Sequence, residues 1–129
     1  MQTTFEFSSS AFPAYPGEET QINPGRFGKR LAEFFQESLP RHGFEVTTLG
    51  PEDWGWMVEL ENDEFPLWIG CGNVDDSDTE FLCFIEPSKP EIRRLLKVIP
   101  TKPVVDRLKL AIEAALTTSG TVTDFRWTS

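Results

Sequence analysis

A chain of 129 residues with a net charge of −9 and a pI near 4.5 has the length of one domain, and its acidity disfavours polyanionic partners. The expectation is a single α+β domain over residues 1–129, with neither nucleic acid nor membrane as partner. Fifteen Phe and Trp residues in a 39% hydrophobic composition suffice for a core, which argues against global disorder.

Met1–Phe7 lacks the charged and apolar regions of a signal peptide. No apolar run approaches the roughly 20 residues that span a bilayer. A cytoplasmic location with reduced cysteines is expected.

Thr3–Phe7 alternates as a short strand, and Ser8–Gly17, with Pro13 and Pro16, reads as loop. Asn23 followed by Pro24 predicts a helix start, and Phe27, Leu31, Phe34, Phe35 and Leu39 continue at helical spacing to a stop at Gly43. About four turns with an aromatic core face are expected, the last distorted by Pro40.

From Gly43 to Glu86 the chain holds twelve Asp and Glu residues and no Lys or Arg. Phe44, Val46 and Thr48 alternate there, as do Trp54, Trp56, Val58 and Leu60. A tight turn at Asn62-Asp63 pairs Leu60 with Phe65, Val58 with Leu67 and Trp56 with Ile69. A turn centred near Ser77 pairs Cys71 with Cys83 and Ile69 with Ile85. All of these residues then share one face, and a one-residue slip would send the whole set to solvent.

Ser88 and Glu91 have capping-box spacing before Ile92, Leu95 and Leu96, which predicts a short helix. Thr101 is the expected cap of a longer one, whose stripe is Val104, Val105, Leu108, Ala111, Ile112, Ala115 and Leu116. Gly120 stops it, and Thr121–Trp127 is a final strand. The fold class is two-layer α+β, with an antiparallel sheet of about four to six strands and two main helices on one face.

The same register fills the opposite face with Met57, Glu59 and Glu61, then Pro66, Trp68, Gly70 and Gly72, then Leu82, Phe84 and Glu86. It sets Met57 across from Trp68 and Gly70 across from Phe84, leaving room for a ring over the glycine. Met57, Trp68, Leu82 and Phe84, rimmed by carboxylates, form an apolar patch of the kind that marks contact surfaces. Either the Phe5–Tyr15 segment, the Ile92–Val98 helix or the Phe125–Trp127 strand covers it, or a partner or second copy does.

Candidate chemical sites each meet a plainer explanation. Asp75, Asp76, Asp78 and Glu80 have the composition of a hard-cation loop without the spacing of a calcium hand, so no metal is assigned. Cys71 and Cys83 are expected neighbours in the reduced state, and no zinc set surrounds them. His42 stands alone at a helix C-terminus, a favourable place for a cation. Glu59, Glu61 and Glu64 near Trp68 have the residue types of a glycosidase on a face where carboxylates are ordinarily solvated. Arg26, Lys29 and Arg30 lie in the first turns of the first helix, whose free amides suit an anion. Gly70-Cys71-Gly72 is too short for a phosphate cradle. Seven basic residues (Lys89, Arg93, Arg94, Lys97, Lys102, Arg107 and Lys109) crowd one segment and balance the acidic sheet. No catalytic residue and no cofactor are assigned.

The segments Gly17-Glu18, Asn23–Gly28, Pro51–Trp56 and Pro66–Asn73 resemble those of a family of small uncharacterised bacterial proteins. The resemblance spans most of the chain and implies a bacterial origin and a stand-alone domain, but no activity and no site.

Charge and pattern together favour a non-enzymatic interaction module whose acidic, aromatic sheet face meets a basic protein partner. Immunity proteins, secretion chaperones and inhibitors offer the analogy. Met57, Glu59, Glu61, Trp68, Leu82 and Phe84 are the expected contact residues, and a homodimer is the other arrangement. The alternative function is a small-molecule binder whose pocket, lined by Trp54, Trp56 and helix aromatics, lies between sheet and helices.

Overall fold

The computed structural model describes all residues, 1–129. In chain order the elements are β1 (Thr4–Ser9), a 3₁₀ turn (Glu18–Thr20), α1 (Lys29–Ser38), a second 3₁₀ turn (Leu39–His42), β2 (Val46–Glu52), β3 (Gly55–Leu60) and β4 (Leu67–Asn73). There follow β5 (Glu80–Glu86), β6 (Glu91–Arg94), β7 (Lys97–Pro100), α2 (Lys102–Ser119) and β8 (Val122–Trp127). Six strands form one antiparallel sheet in the order β2-β3-β4-β5-β1-β8, while β6 and β7 make a separate hairpin. The α+β expectation therefore holds, with six strands in the main sheet.

Alternation drives the sheet. Phe5 and Phe7 of β1, Trp56, Val58 and Leu60 of β3, Leu67, Ile69 and Cys71 of β4, and Phe81, Cys83 and Ile85 of β5 are all buried on one face. Leu31, Ala32 and Phe35 of α1 and Val105, Leu108, Ile112 and Leu116 of α2 close the same core. The α2 stripe is the expected one from Val105 onward, and Gly120 ends the helix.

The first helix differs from its expected bounds. Pro24-Gly25 lies in a turn, Gly28 is the N-cap residue, and α1 covers ten residues before the Pro40-containing 3₁₀ turn carries the chain to Gly43. The reason is that the lead-in is held by the buried Asn73 side chain, which accepts from the Phe27 N–H (3.1 Å) and donates to Gly25 O (2.8 Å). Those partners replace the helical bonds that an Asn23 cap would have begun.

The turn near Ser77 has the expected register, with Cys71 opposite Cys83, Ile69 opposite Ile85 and Gly70 opposite Phe84. The preceding hairpin is shifted by two residues. Leu60 pairs with Leu67, Val58 with Ile69 and Trp56 with Cys71, so Met57 faces Gly70 and Glu59 faces Trp68. Asn62-Asp63 belongs to a longer loop in which Asn62 Nδ2 donates to Phe65 O (3.0 Å) and Phe65 turns inward as a buried plug. A two-residue shift preserves the facing of every side chain, so hydrophobic patterning alone cannot detect it.

The segment expected as a helix after Ser88 is the β6–β7 hairpin. Ile99 is buried and Ile92 packs against the core, whereas Leu95 and Leu96 occupy the tip at 99% and 101% exposure. Leu95 has φ 58°, a left-handed conformation that reverses the chain. The capping box does not form because Glu91 is paired with Pro100 in the hairpin, and Pro90 O and Lys89 O accept from Thr101, through its N–H (2.9 Å) and its hydroxyl respectively. That same hydroxyl is thereby withdrawn from capping α2, although Thr101 does hold the N-cap position.

Candidate functional site

On the sheet face opposite the helices, the register places Gly50 and Glu52 of β2, Met57 and Glu59 of β3, Trp68, Gly70 and Gly72 of β4, Leu82, Phe84 and Glu86 of β5, and Glu6 of β1. Trp68 and Phe84 form an aromatic ridge there with ring centroids 5.5 Å apart at 73°. Trp54 completes the ridge, 6.0 Å from Trp68 at 20° and 5.0 Å from Phe84 at 61°. Such pairs contribute about 0.5–1.5 kcal/mol each beyond their buried area. Gly70 makes the ridge fit, because a Cβ at that position would overlap the Phe84 ring.

Trp54 corrects the sequence reading. Alternation assigns it to the core with Trp56, but Glu52 pairs with Gly55, so Asp53 and Trp54 form the two-residue turn between β2 and β3. A turn interrupts the period of two, and the ring lands on the outer face. The Gly55 that follows at φ 154° was the available signal. With Trp54 outside and Trp56 buried, the pocket expected between sheet and helices has no common lining.

Of the expected contact residues, Met57, Glu59, Trp68, Leu82 and Phe84 share the outer face. Met57, Glu59, Trp68 and Phe84 are half-buried and Leu82 is 38% exposed. Glu61 does not join them. It lies beyond the end of β3 in a surface recess with Glu45, Asn62, Asp63 and Arg107.

The segments suggested as a cover are engaged elsewhere. Phe5 and Phe7 stack within the core, Phe12 packs on Phe7 and Phe34, and Phe125 and Trp127 close on Phe5. The hairpin that replaces the expected third helix packs through Ile92 and Ile99 on the core.

On the helix side, a buried carboxylate organises the chain. Glu18 is 2% exposed, and its Oε2 accepts from the backbone N–H groups of Gly28 (2.8 Å) and Lys29 (3.0 Å) and from Trp56 Nε1 (3.1 Å). Its Oε1 accepts from Tyr15 N–H at 3.0 Å. The candidate anion position at the start of α1 is thus filled by the protein's own side chain. Nearby, Lys29 Nζ lies 5.2 Å from the Trp56 ring, and the Arg30 guanidinium stacks on Tyr15 at 3.8 Å.

Tyr15 donates a short 2.5 Å hydrogen bond to Glu33 Oε1. That bond, then burial and the Glu33 charge, raises the phenol above its ordinary pKa of 10.0, against a lowering by Arg30. Sequence reasoning missed Glu18, Tyr15 and Glu33 because no local pattern links them.

The acidic loop after β4 is built into the fold. Asn73 Nδ2 reaches Asp75 O and Ser77 O, Ser77 Oγ accepts from Thr79 and Glu80 N–H, and Asp78 Oδ2 accepts from Ala14 N–H at 2.9 Å. Cys71 and Cys83 are buried free thiols on paired strands. Burial, followed by interaction with Cys83, pushes the Cys71 thiol well above its ordinary pKa of 9.0. His42 closes the 3₁₀ turn after α1, beside Arg41. The basic residues divide between the β6–β7 region and α2, where Lys102 pairs with Asp106 and Lys109 lies over Trp127.

Comparison with protein-family models, with curated proteins and with solved structures gave no match for this chain.

Proposed function

We propose that this protein is a non-enzymatic interaction module that presents its acidic, aromatic sheet face to a basic protein partner, in the manner of immunity proteins, chaperones or inhibitors. The observation that supports this reading is the Trp54–Trp68–Phe84 ridge, set among Glu52, Glu59 and Glu86 on the face that the helices leave uncovered. Rigid aromatic side chains lose little conformational entropy on binding and commonly dominate interface energetics. Surrounding carboxylates speed encounter with a positive surface and discriminate against negative ones. Twelve acidic residues without a basic one between Gly43 and Glu86 supply that field.

The test is affinity capture at low and high salt with the wild-type protein and Trp68→Ala. The expected result is a partner held at low salt, released at high salt and lost in the variant, which loses a few degrees of melting temperature with the Trp68 aromatic pairs but stays folded. Sedimentation under the same conditions distinguishes a second copy from a foreign protein. Capture indifferent to salt, or a folded Trp68→Ala variant that keeps its partner, would overturn the reading.

A further inference from the structure

Trp68 lies directly across from Glu59 on β3 and directly across from Glu86 on β5. Directly opposed antiparallel residues have Cβ atoms about 4.5–5.5 Å apart. The indole is therefore flanked by one carboxylate on each neighbouring strand, all three on one face and all three half-buried. Trp54 and Phe84 brace the ring from within the ridge, so its orientation is set before any ligand arrives.

Neither flanking carboxylate has a cation of its own. The chain's ion pairs are Arg41–Glu37, Lys102–Asp106 and Arg126–Glu6. Glu59 uses Oε2 to accept from Thr48 Oγ1 at 3.0 Å, which leaves its second oxygen for another donor.

From this row we infer that the Glu59–Trp68–Glu86 triplet is a seat for an arginine side chain of the partner. The inference rests on the proposed role of this face and names the chemistry of what docks there. A guanidinium is planar and weakly hydrated, so it stacks on an indole while its in-plane N–H groups reach carboxylates at either side. An ammonium is a compact, strongly hydrated point charge that gains less from stacking on the ring and lacks the forked donor geometry. An uncharged aromatic ligand would desolvate both carboxylates without satisfying them.

The test uses two labelled peptides of the same length and charge, one carrying three arginines and the other three lysines in a Gly-Ser background, titrated by fluorescence anisotropy. The arginine peptide is expected to bind about three- to tenfold more tightly. Trp68→Phe should shrink that ratio, and the near-isosteric Glu59→Gln and Glu86→Gln should each weaken arginine binding without unfolding the protein. Equal affinities, with binding still weakened by salt and by the Gln variants, would overturn the arginine seat and leave the acidic interaction face standing. A preference for arginine that survives all three substitutions places the peptide elsewhere and also overturns the seat. Binding of neither peptide would count against both readings.

Discussion

The Glu18 carboxylate and the Trp56 indole N–H meet at 3.1 Å in the interior, although 38 residues separate them in sequence. The contact fastens the 3₁₀ turn before α1 to the second residue of β3. Because Glu18 Oε2 also holds the Gly28 and Lys29 amides, one oxygen joins loop, helix and sheet. Glu18→Gln presents an amide where the site supplies donors on both oxygens, so at least one N–H is left facing another. The expected loss is about 2–4 kcal/mol, measured by urea denaturation with an unchanged m-value. A loss below half a kcal/mol would show that the carboxylate is not holding these elements together.

The carbonyl oxygen of Cys71 is enclosed by two glycines from distant segments, Gly28 at the start of α1 and Gly55 at the start of β3. A Cβ on either would overlap that oxygen, and both positions have positive φ, at 149° and 154°. Gly28→Ala and Gly55→Ala should each cost about 3 kcal/mol, through overpacking and backbone strain together. The readout is the melting temperature, or the soluble fraction where the variant does not fold.

Gly70→Ala acts differently, since the atoms in its way belong to the movable Phe84 ring. A modest stability loss of about 1 kcal/mol is expected, with a larger change in tryptophan emission as the ridge is displaced. In a Phe84→Leu background, Gly70→Ala should cost less stability than in the wild type, which would confirm that the glycine serves the ring.

Tyr15 is the only tyrosine, so its ionisation can be followed directly by ultraviolet absorbance. Its phenol is raised above 10.0 chiefly by donation to Glu33. A group whose folded pKa is raised adds stability that is fully present below its unfolded value and is lost as pH climbs through the folded one. The midpoint should therefore lie above 10 in the native protein and fall back toward it in Glu33→Gln. The hydrogen-bond contribution should persist at neutral pH and vanish only in strong alkali. An unshifted midpoint in the wild type would contradict the Tyr15–Glu33 bond.

Cys71 is fully buried, and that burial holds it in the thiol form well above the usual range. The same sign applies, so this contribution also survives at neutral pH and is lost on the alkaline side. Iodoacetamide at pH 8 should leave Cys71 unmodified in the native state and alkylate it rapidly in denaturant, as mass spectrometry would report. Fast native labelling would show that the sheet opens at β4.

Leu95 combines full exposure with a left-handed backbone, so it has strain and no packing. Leu95→Asn should raise stability by about 0.5–1 kcal/mol in thermal unfolding, since Asn tolerates φ > 0.

The chain's own pattern carried the inward face of β3, β4 and β5, the stripe of α2 and the Cys71–Cys83 pairing, because burial on one side imposes strict alternation or helical spacing. It also located Trp68, Leu82 and Phe84 on the outer face. Three things had to wait for the assembled molecule. The two-residue shift between β3 and β4 leaves every side chain on its expected face, so no pattern distinguishes Met57 opposite Trp68 from Glu59 opposite Trp68. The segment after Ser88 holds apolar residues that suit a helix as well as a hairpin, and they are told apart only once Ile92 and Ile99, paired across the two strands, meet the assembled core. Glu18 is an ordinary surface residue in any local window. Its burial follows only when Gly28, Lys29 and Trp56 converge on it, because hydrogen-bond donors from separate elements are what make an interior carboxylate tolerable.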